Sequence, residues 1–343
     1  MMSGGMSAGT AGTADLIVKE HLEAMQRWAM SLQTAVTPEE QKLAWANQPD
    51  SKEFGRRMWV ELAPSLRQEW TLQYTAWMLE MTPYFAGEER VGRMKRTPVE
   101  EIRRVTGQMY LKSPLVGRLC LALTAFPDPP TLALVEKIEK ENPDPKVQGQ
   151  AAMALALLLK HLGDDPGVMA KRLNHLRNAI IKSVNVKVGD KTVGQLAENE
   201  LYTIKNLSKG RVAPNILGSD AAEVPVNLST YRGKVVVLVF WNSGMRDAQH
   251  AVDLLTKFQK DFLGRPVELL GVCGDSLKEL KDLKKNGVIS WRNFSDPTGS
   301  ILKQYRVKRQ PWTWVLDQKG VIQFIGAPGA FVDLAVEALL APK

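Results

Sequence analysis

Val235-Val236-Val237-Leu238-Val239-Phe240-Trp241-Asn242-Ser243-Gly244-Met245-Arg246-Asp247-Ala248 decides the fold of half of this chain. Val235 to Val239 is an apolar run without polar alternation, the pattern of a parallel strand buried on both faces. Beyond it Ala251, Leu254, Leu255, Phe258 and Phe262 recur at helical spacing. Strand, abrupt turn and helix put Ser243 to Asp247 near a helix N-terminus, in a fold that alternates strand and helix.

Working outward, the region after about Gly210 is rich in Pro, Gly and β-branched runs. Strands are expected at Val224 to Leu228, Val235 to Phe240, Val267 to Cys273, Trp312 to Leu316 and Val321 to Ile325. Helices are expected at Ala248 to Phe262, Ser276 to Asn286, Ser300 to Tyr305 and Phe331 to Leu340. With the short Ser300 helix set aside the order is β-β-α-β-α-β-β-α. Strand-helix-strand crossovers imply parallel pairs, and the closing hairpin across Asp317-Gln318-Lys319-Gly320 implies antiparallel ones. The expected fold of residues 208–343 is therefore α/β, a mixed central sheet flanked by helices.

The preceding residues follow another grammar. Residues 1–14 are rich in Gly, Ser, Ala and Thr and read as a flexible segment, and residues 15–207 read almost entirely as helix. Thr37-Pro38-Glu39-Glu40 and Thr97-Pro98-Val99-Glu100-Glu101 are helix starts, with Pro at the first position and acids in the first turn. Asn142-Pro143-Asp144-Pro145 separates a helix over Thr131 to Glu141 from one over Val147 to Leu162. The second is apolar on most faces, like the inner helix of a HEAT- or TPR-type pair. No consensus recurs at a fixed period, so an irregular all-α domain is expected. Trp45, Trp59, Trp70 and Trp77 fall in one short tract; packing between helices is the favoured reading over a partner groove.

The 343 residues suffice for two domains, and 44% hydrophobic with 24% charged is an ordinary globular composition. The net charge of +8 is dispersed, and no Arg/Lys cluster interleaves with aromatics, which speaks against nucleic-acid binding. Two cysteines, Cys120 and Cys273, exclude a disulfide framework and a thiolate zinc site. The four histidines have no metal-ligand spacing, so no metal or other cofactor is expected. No stretch approaches the length of a membrane span. Met1 to Ala14 lacks the basic start and apolar run of a signal peptide, which leaves the compartment open.

Several stations of the C-terminal half resemble one family. Gly210-Arg211-Val212-Ala213-Pro214 is similar to an entry segment G-x-x-A-P, and Leu228-Ser229-Thr230-Tyr231-Arg232-Gly233-Lys234 to L-S-D-Y-R-G-K. Val235 to Trp241 resembles the strand that follows, and Leu270-Gly271-Val272 with Asp275 the next strand and its exit. Tyr305-Arg306-Val307 followed by Gln310-Pro311-Trp312-Thr313 resembles Y-x-V-x-x-x-P-T, and Val315-Leu316-Asp317 with Gly320-Val321-Ile322 the final hairpin. Together, from Gly210 to Leu340, they resemble the redoxin group of the thioredoxin superfamily, in particular its TlpA-like thiol-disulfide reductases. Some such proteins carry helical N-terminal extensions, whose lead-in Thr192 to Leu207 resembles, and many are exported. The resemblance implies a cis peptide before Pro311.

The centre departs from that family. Where it has W-C-x-x-C after F-W plus two residues, this chain has Gly244, Met245 and Ala248, and no cysteine lies between Cys120 and Cys273. Dithiol exchange needs a thiolate to attack and a second thiol to resolve the mixed disulfide. Methionine and alanine supply neither. Asp247 is expected to place its carboxylate in the first helical turn, where the helix dipole favours it. Cys273, at the end of its strand, is the remaining candidate thiol, weighed against a small apolar residue ending a buried strand.

In active relatives the loop before the cis-proline pairs its backbone with an extended substrate. The resemblance thus implies that Arg309-Gln310-Pro311 binds a protein or extended peptide, with Trp241, Trp312 and Trp314 offering apolar surface; packing of Trp312 and Trp314 against the sheet is the alternative. The leading expectation is a non-catalytic binding module, a pseudoenzyme with Met245 and Ala248 in place of the redox pair. The alternatives are thiol-disulfide or antioxidant chemistry through Cys273, and a structural spacer.

Overall fold

The computed structural model describes residues 9–88, 96–163, 165–245 and 247–341. They fall into two compact units divided between Glu198 and Asn199. The first is helical: α1 (Ala11–Thr34), α2 (Pro38–Ala46), α3 (Ser51–Leu62), α4 (Thr71–Met81), α5 (Pro83–Glu88), α6 (Pro98–Met109) and α7 (Val116–Ala122) precede α8 (Pro129–Glu141), α9 (Pro145–Leu159) and α10 (Pro166–Ser183). A short ladder of β1 (Lys187–Val188) and β2 (Lys191–Thr192) leads into α11 (Val193–Asn206), within which the division falls.

Of the expected flexible segment, residues 1–8 lie outside the described residues. The rest corrects the expectation, because α1 starts at Ala11 rather than Asp15. The Thr10 hydroxyl caps it by accepting from Thr13 N at 3.2 Å, and Ala14 is buried. A good N-cap followed by alanines outweighs the loop-like Gly and Thr around them.

The Asn142-Pro-Asp-Pro break is held from its centre. Buried Asn142 donates through Nδ2 to Leu111 O (2.8 Å) and Ser113 O (2.9 Å), and its Oδ1 accepts from Asp144 N. Asp144 in turn caps α9 at Lys146 N. The apolar helix α9 is surrounded by α7, α8 and α10. Close approach needs glycine twice: a Cβ at Gly117 would lie 1.9 Å from Gln150 Oε1, and one at Gly149 2.3 Å from Ser183 Oγ. Trp59 and Trp77 are core, while Trp45 and Trp70 meet Trp28 and Tyr74 edge-on, so this tract packs between helices.

The second unit contains β3 (Leu217–Ser219), β4 (Pro225–Asn227), β5 (Val235–Trp241), α12 (Ala248–Asp261), β6 (Val267–Cys273) and α13 (Leu277–Lys285). It continues with β7 (Arg292–Ser295), α14 (Ser300–Gln304), β8 (Trp312–Leu316), β9 (Ile322–Gly326) and α15 (Ala330–Leu340). The main sheet has the order β7-β6-β5-β8-β9. β5 and β7 flank β6 in parallel, whereas β8 is antiparallel to both β5 and β9. This is the mixed sheet expected, but β7, which was not foreseen, takes the place of the strand expected at Val224 to Leu228. β3 and β4 form a separate antiparallel ladder.

All seven residues of β5 are buried. Val235, Val237, Val239 and Trp241 share one core with Val252 and Leu255 of α12 and Val332 and Val336 of α15. Val236, Leu238 and Phe240 face the other way, onto Phe294, Tyr305 and Trp314. A strand covered on both faces has no polar side to display, which is why its sequence does not alternate.

Candidate functional site

After Trp241 the chain turns through Asn242, Ser243, Gly244 and Met245 before α12 opens at Ala248; Arg246 lies outside the described residues. Three neighbours tie this turn down. Gly274 N donates to Trp241 O at 3.1 Å, and Ser243 N donates to both Asp275 carboxylate oxygens at 2.9 and 3.1 Å. Asn242 Nδ2 donates to Gln310 Oε1 at 2.5 Å. The exits of β5 and β6 and the entry to β8 are thereby joined at one sheet edge. The Gln310–Pro311 peptide there is cis.

Met245 is partly buried against the core that holds Trp241 and Cys273, and Ala248 N donates to its carbonyl at 3.1 Å. A thioether and a methyl group close the turn that a dithiol would need, and neither can form a thiolate. Asp247 stands one position outside α12, as its N-cap residue, with no side-chain cap hydrogen bond. This corrects the expectation of a carboxylate within the first turn.

Cys273 is fully buried, and its Sγ donates to Asp275 Oδ2 at 3.3 Å. Burial first, and the adjacent Asp275 carboxylate next, push its thiol far above the usual cysteine range. The attacking species of thiol chemistry is the thiolate, so this environment works against the reaction. Cys120 is also buried, and desolvation pushes its thiol up to about 12.

Trp241, expected to offer apolar surface, is 1% exposed. Its Nε1 donates to Asn293 Oδ1 at 2.9 Å and its ring lies 6.0 Å from that of Trp291. Trp314 is likewise core, edge-on to Phe240 and Tyr305. Both corrections follow from packing on the two faces of the sheet: Trp241 lies in the core shared with α12 and α15, and Trp314 in the one that holds Phe294 and Tyr305. Trp312 is different. It is half-buried, and the Arg309 guanidinium lies 3.9 Å from its ring centroid, a cation–π contact.

Arg309, Gln310, Pro311 and Trp312 are thus brought together on one loop, with Trp241 behind them in the core. Among the described residues the backbone groups of Lys308, Arg309 and Gln310 make no hydrogen bond. Sequence reasoning overlooked Asn242 and Asn293. Asn293 also donates to Trp291 O at 3.0 Å, and its Oδ1 would lie 1.7 Å from a Cβ at Gly271. The strand glycine was the signal for that close approach. Among the described residues no three His, Cys, Asp or Glu come together to hold a metal ion, and no helix is long and apolar enough to cross a membrane.

Residues 209–325 match the profile of the AhpC/TSA family. Peroxiredoxin Q, chloroplastic, of Oryza sativa subsp. japonica is 29% identical over 131 residues, 35% of this chain and 58% of that relative. Thiol-disulfide oxidoreductase ResA of Bacillus subtilis (strain 168) is 25% identical over 130 residues, 35% of this chain and 73% of that relative. This chain therefore spans little more than half the length of the rice protein. Among solved structures, the thioredoxin domain of a thiol-disulfide oxidoreductase from Bacteroides vulgatus is 23% identical, with a TM-score of 0.36, over 40% of this chain and all of that one.

Proposed function

The C-terminal unit is a redoxin of the thioredoxin superfamily, and we propose that it works without redox chemistry, as a module that binds an extended segment of a protein or peptide. The observation that carries this reading is the unpaired backbone of Arg309 and Gln310 beside half-buried Trp312. Free amide and carbonyl groups on the loop that enters β8 can pair with an extended segment through main-chain hydrogen bonds, and the neighbouring aromatic supplies apolar contact. The relatives' names describe thiol enzymes, but their chemistry needs a thiolate and a resolving thiol. Here Met245 and Ala248 stand at the turn, and Cys273 is buried and held protonated.

Backbone amide shifts of the full chain, followed during titration with short extended peptides, test the reading. The expected result is saturable shifts concentrated at residues 308–312, with insulin reduction no faster than without protein. Insulin turnover that disappears in Cys273→Ser would replace this proposal by thiol chemistry. Absence of peptide-dependent shifts would leave the unit a spacer.

A further inference from the structure

The charges around the same loop say what kind of peptide it takes; the inference rests on the reading of residues 308–312 as the peptide site. Arg306-Val307-Lys308-Arg309 carries three cations and no acid. Arg306 is engaged locally: its φ of 52° turns the chain at the end of α14, its guanidinium donates to Lys303 O at 2.8 Å, and it lies 4.6 Å from the Tyr202 ring centroid. Lys308 and Arg309 are exposed, and among the described residues neither is paired with a carboxylate. Arg309 is nevertheless held in place, because its guanidinium lies 3.9 Å from the Trp312 ring centroid.

The acids of this edge are mostly occupied. Asp275 accepts from Ser243 N and Cys273 Sγ. Asp296 is buried and accepts from Ser300 Oγ, Ile301 N and Leu302 N at 2.9 to 3.1 Å. Asp247 alone of these three stands exposed, at the start of α12. The loop thus presents two uncompensated cations next to the backbone that an added strand would use.

Side chains of an extended strand alternate faces, so every second residue of a bound segment points the same way. We infer that the loop selects acidic segments, an extended peptide whose carboxylates meet the cations of Lys308 and Arg309. Partly exposed ion pairs contribute modestly one by one, and their sum shows as discrimination between peptides rather than as binding itself.

Fluorescence anisotropy of the full chain with labelled short peptides alternating Val with Glu, Gln or Lys tests this. The Glu peptide is expected to bind about threefold to tenfold tighter than the Gln peptide, and the Lys peptide weakest. Added salt should narrow the spread. In Lys308→Glu/Arg309→Glu the order should reverse, the Lys peptide then binding tighter than the Glu peptide. Equal binding of Glu and Gln peptides overturns the acidic preference and leaves the peptide site standing. If none of the three peptides binds, the peptide site itself fails. Displacement of the Glu peptide by a short oligothymidylate at comparable concentration would show a general polyanion surface and overturn the assignment to peptide.

Discussion

Two stretches of one sheet edge have fared differently. The turn Asn242 to Ala248, where the family resemblance places a redox pair, carries no cysteine, whereas the loop Arg306 to Trp312 has the cis peptide, the open backbone and a half-exposed aromatic. The turn is held by Gly274 N on Trp241 O, by Ser243 N on Asp275 and by Asn242 on Gln310. None of these contacts uses residue 245 or 248 side chains. The tethers of the turn and the side chains at 245 and 248 are therefore separate groups, and the side chains can be changed while the tethers stay.

The largest effect expected from testing that separation is a gain. Met245→Cys with Ala248→Cys places two thiols on residues already joined by the Ala248 N to Met245 O hydrogen bond. A closed turn of this kind keeps its end Cα atoms within about 7 Å, at the limit of what a disulfide spans. The helix N-terminus lowers the attacking thiol's pKa, and Asp247 between the two opposes it. The double variant should fold, form the internal disulfide, and reduce insulin at least about tenfold above the unsubstituted chain's background, from thiolate formation. Mass spectrometry after alkylation checks the bond. Two free thiols in folded, oxidised protein would break the comparison, because the turn would then not be an emptied redox site.

Next in size is Gly271→Ala, behind the edge. The added methyl would lie 1.7 Å from Asn293 Oδ1 and 3.0 Å from Trp241 Nε1, in the buried pair that anchors the end of β5. Overpacking of this kind costs about 1–3 kcal/mol. Gly274→Ala, on the edge itself, meets nothing nearer than Asn242 Cβ at 3.8 Å and should change stability by less than about 0.5 kcal/mol. Urea unfolding of both variants sharpens the contrast between core and rim. Equal losses would remove it.

A smaller loss is expected from Asp220→Asn. Burial favours the neutral acid, but hydrogen bonds from Val224 N (3.1 Å), Arg292 Nε (2.8 Å) and Ala222 N (2.9 Å) outweigh it and hold the carboxyl below the usual range. With the folded pKa depressed, the contribution is present above the unfolded value of about 3.9 and is lost as pH falls through the folded one. The variant should lose about 1–2 kcal/mol at neutral pH, as for hydrogen bonds to a charged group, and a stability–pH curve should show a flatter acid limb. A limb as steep as the parent's would assign acid sensitivity elsewhere.

Smaller than the Asp220 loss is the change from Cys273→Ala, about 1 kcal/mol or less for loss of one buried sulfur. Native protein should resist iodoacetamide at neutral pH and be modified once unfolded. Because the folded thiol is raised, its contribution is complete below the unfolded pKa of about 8.5 and declines as pH rises beyond it. The alanine variant should lack that alkaline decline. Rapid labelling of the native thiol would reopen the enzymatic reading.

The main strands were legible wherever hydrophobicity alone specified them: β5, β6 and β8 lie where their apolar runs put them. β7 escaped because Arg292-Asn293-Phe294-Ser295 is half polar. Asn293 is buried there only because Trp241 and Trp291 O satisfy its amide, a pairing between distant segments that no local pattern encodes. Trp241 was misread for the opposite reason: the resemblance implied surface for a partner beside the Pro311 loop, while its spacing from Val235, Val237 and Val239 already put it on an inward face. The missing cysteines were plain from the sequence. The unpaired backbone at Arg309 and Gln310 was not, since hydrogen-bond vacancies belong to the folded chain.

The outer strands of the sheet carry covers. Beside β7, Gly218 of β3 lies against Phe294, and Arg292 is tied to Asp220 beyond that strand. Beside β9, Gly210 N donates to Ile322 O, Ile322 N to Arg211 O, and Ala213 N to Gly320 O. An open strand edge invites any passing chain, including another copy of the same protein, and is where sheet proteins begin to aggregate. A short open stretch of backbone carries less of this hazard where the outer strands are partly covered. Trimming the segment Gly210 to Ala213 would accordingly uncover the start of β9, and self-association, read by light scattering, should grow faster than any loss of folding.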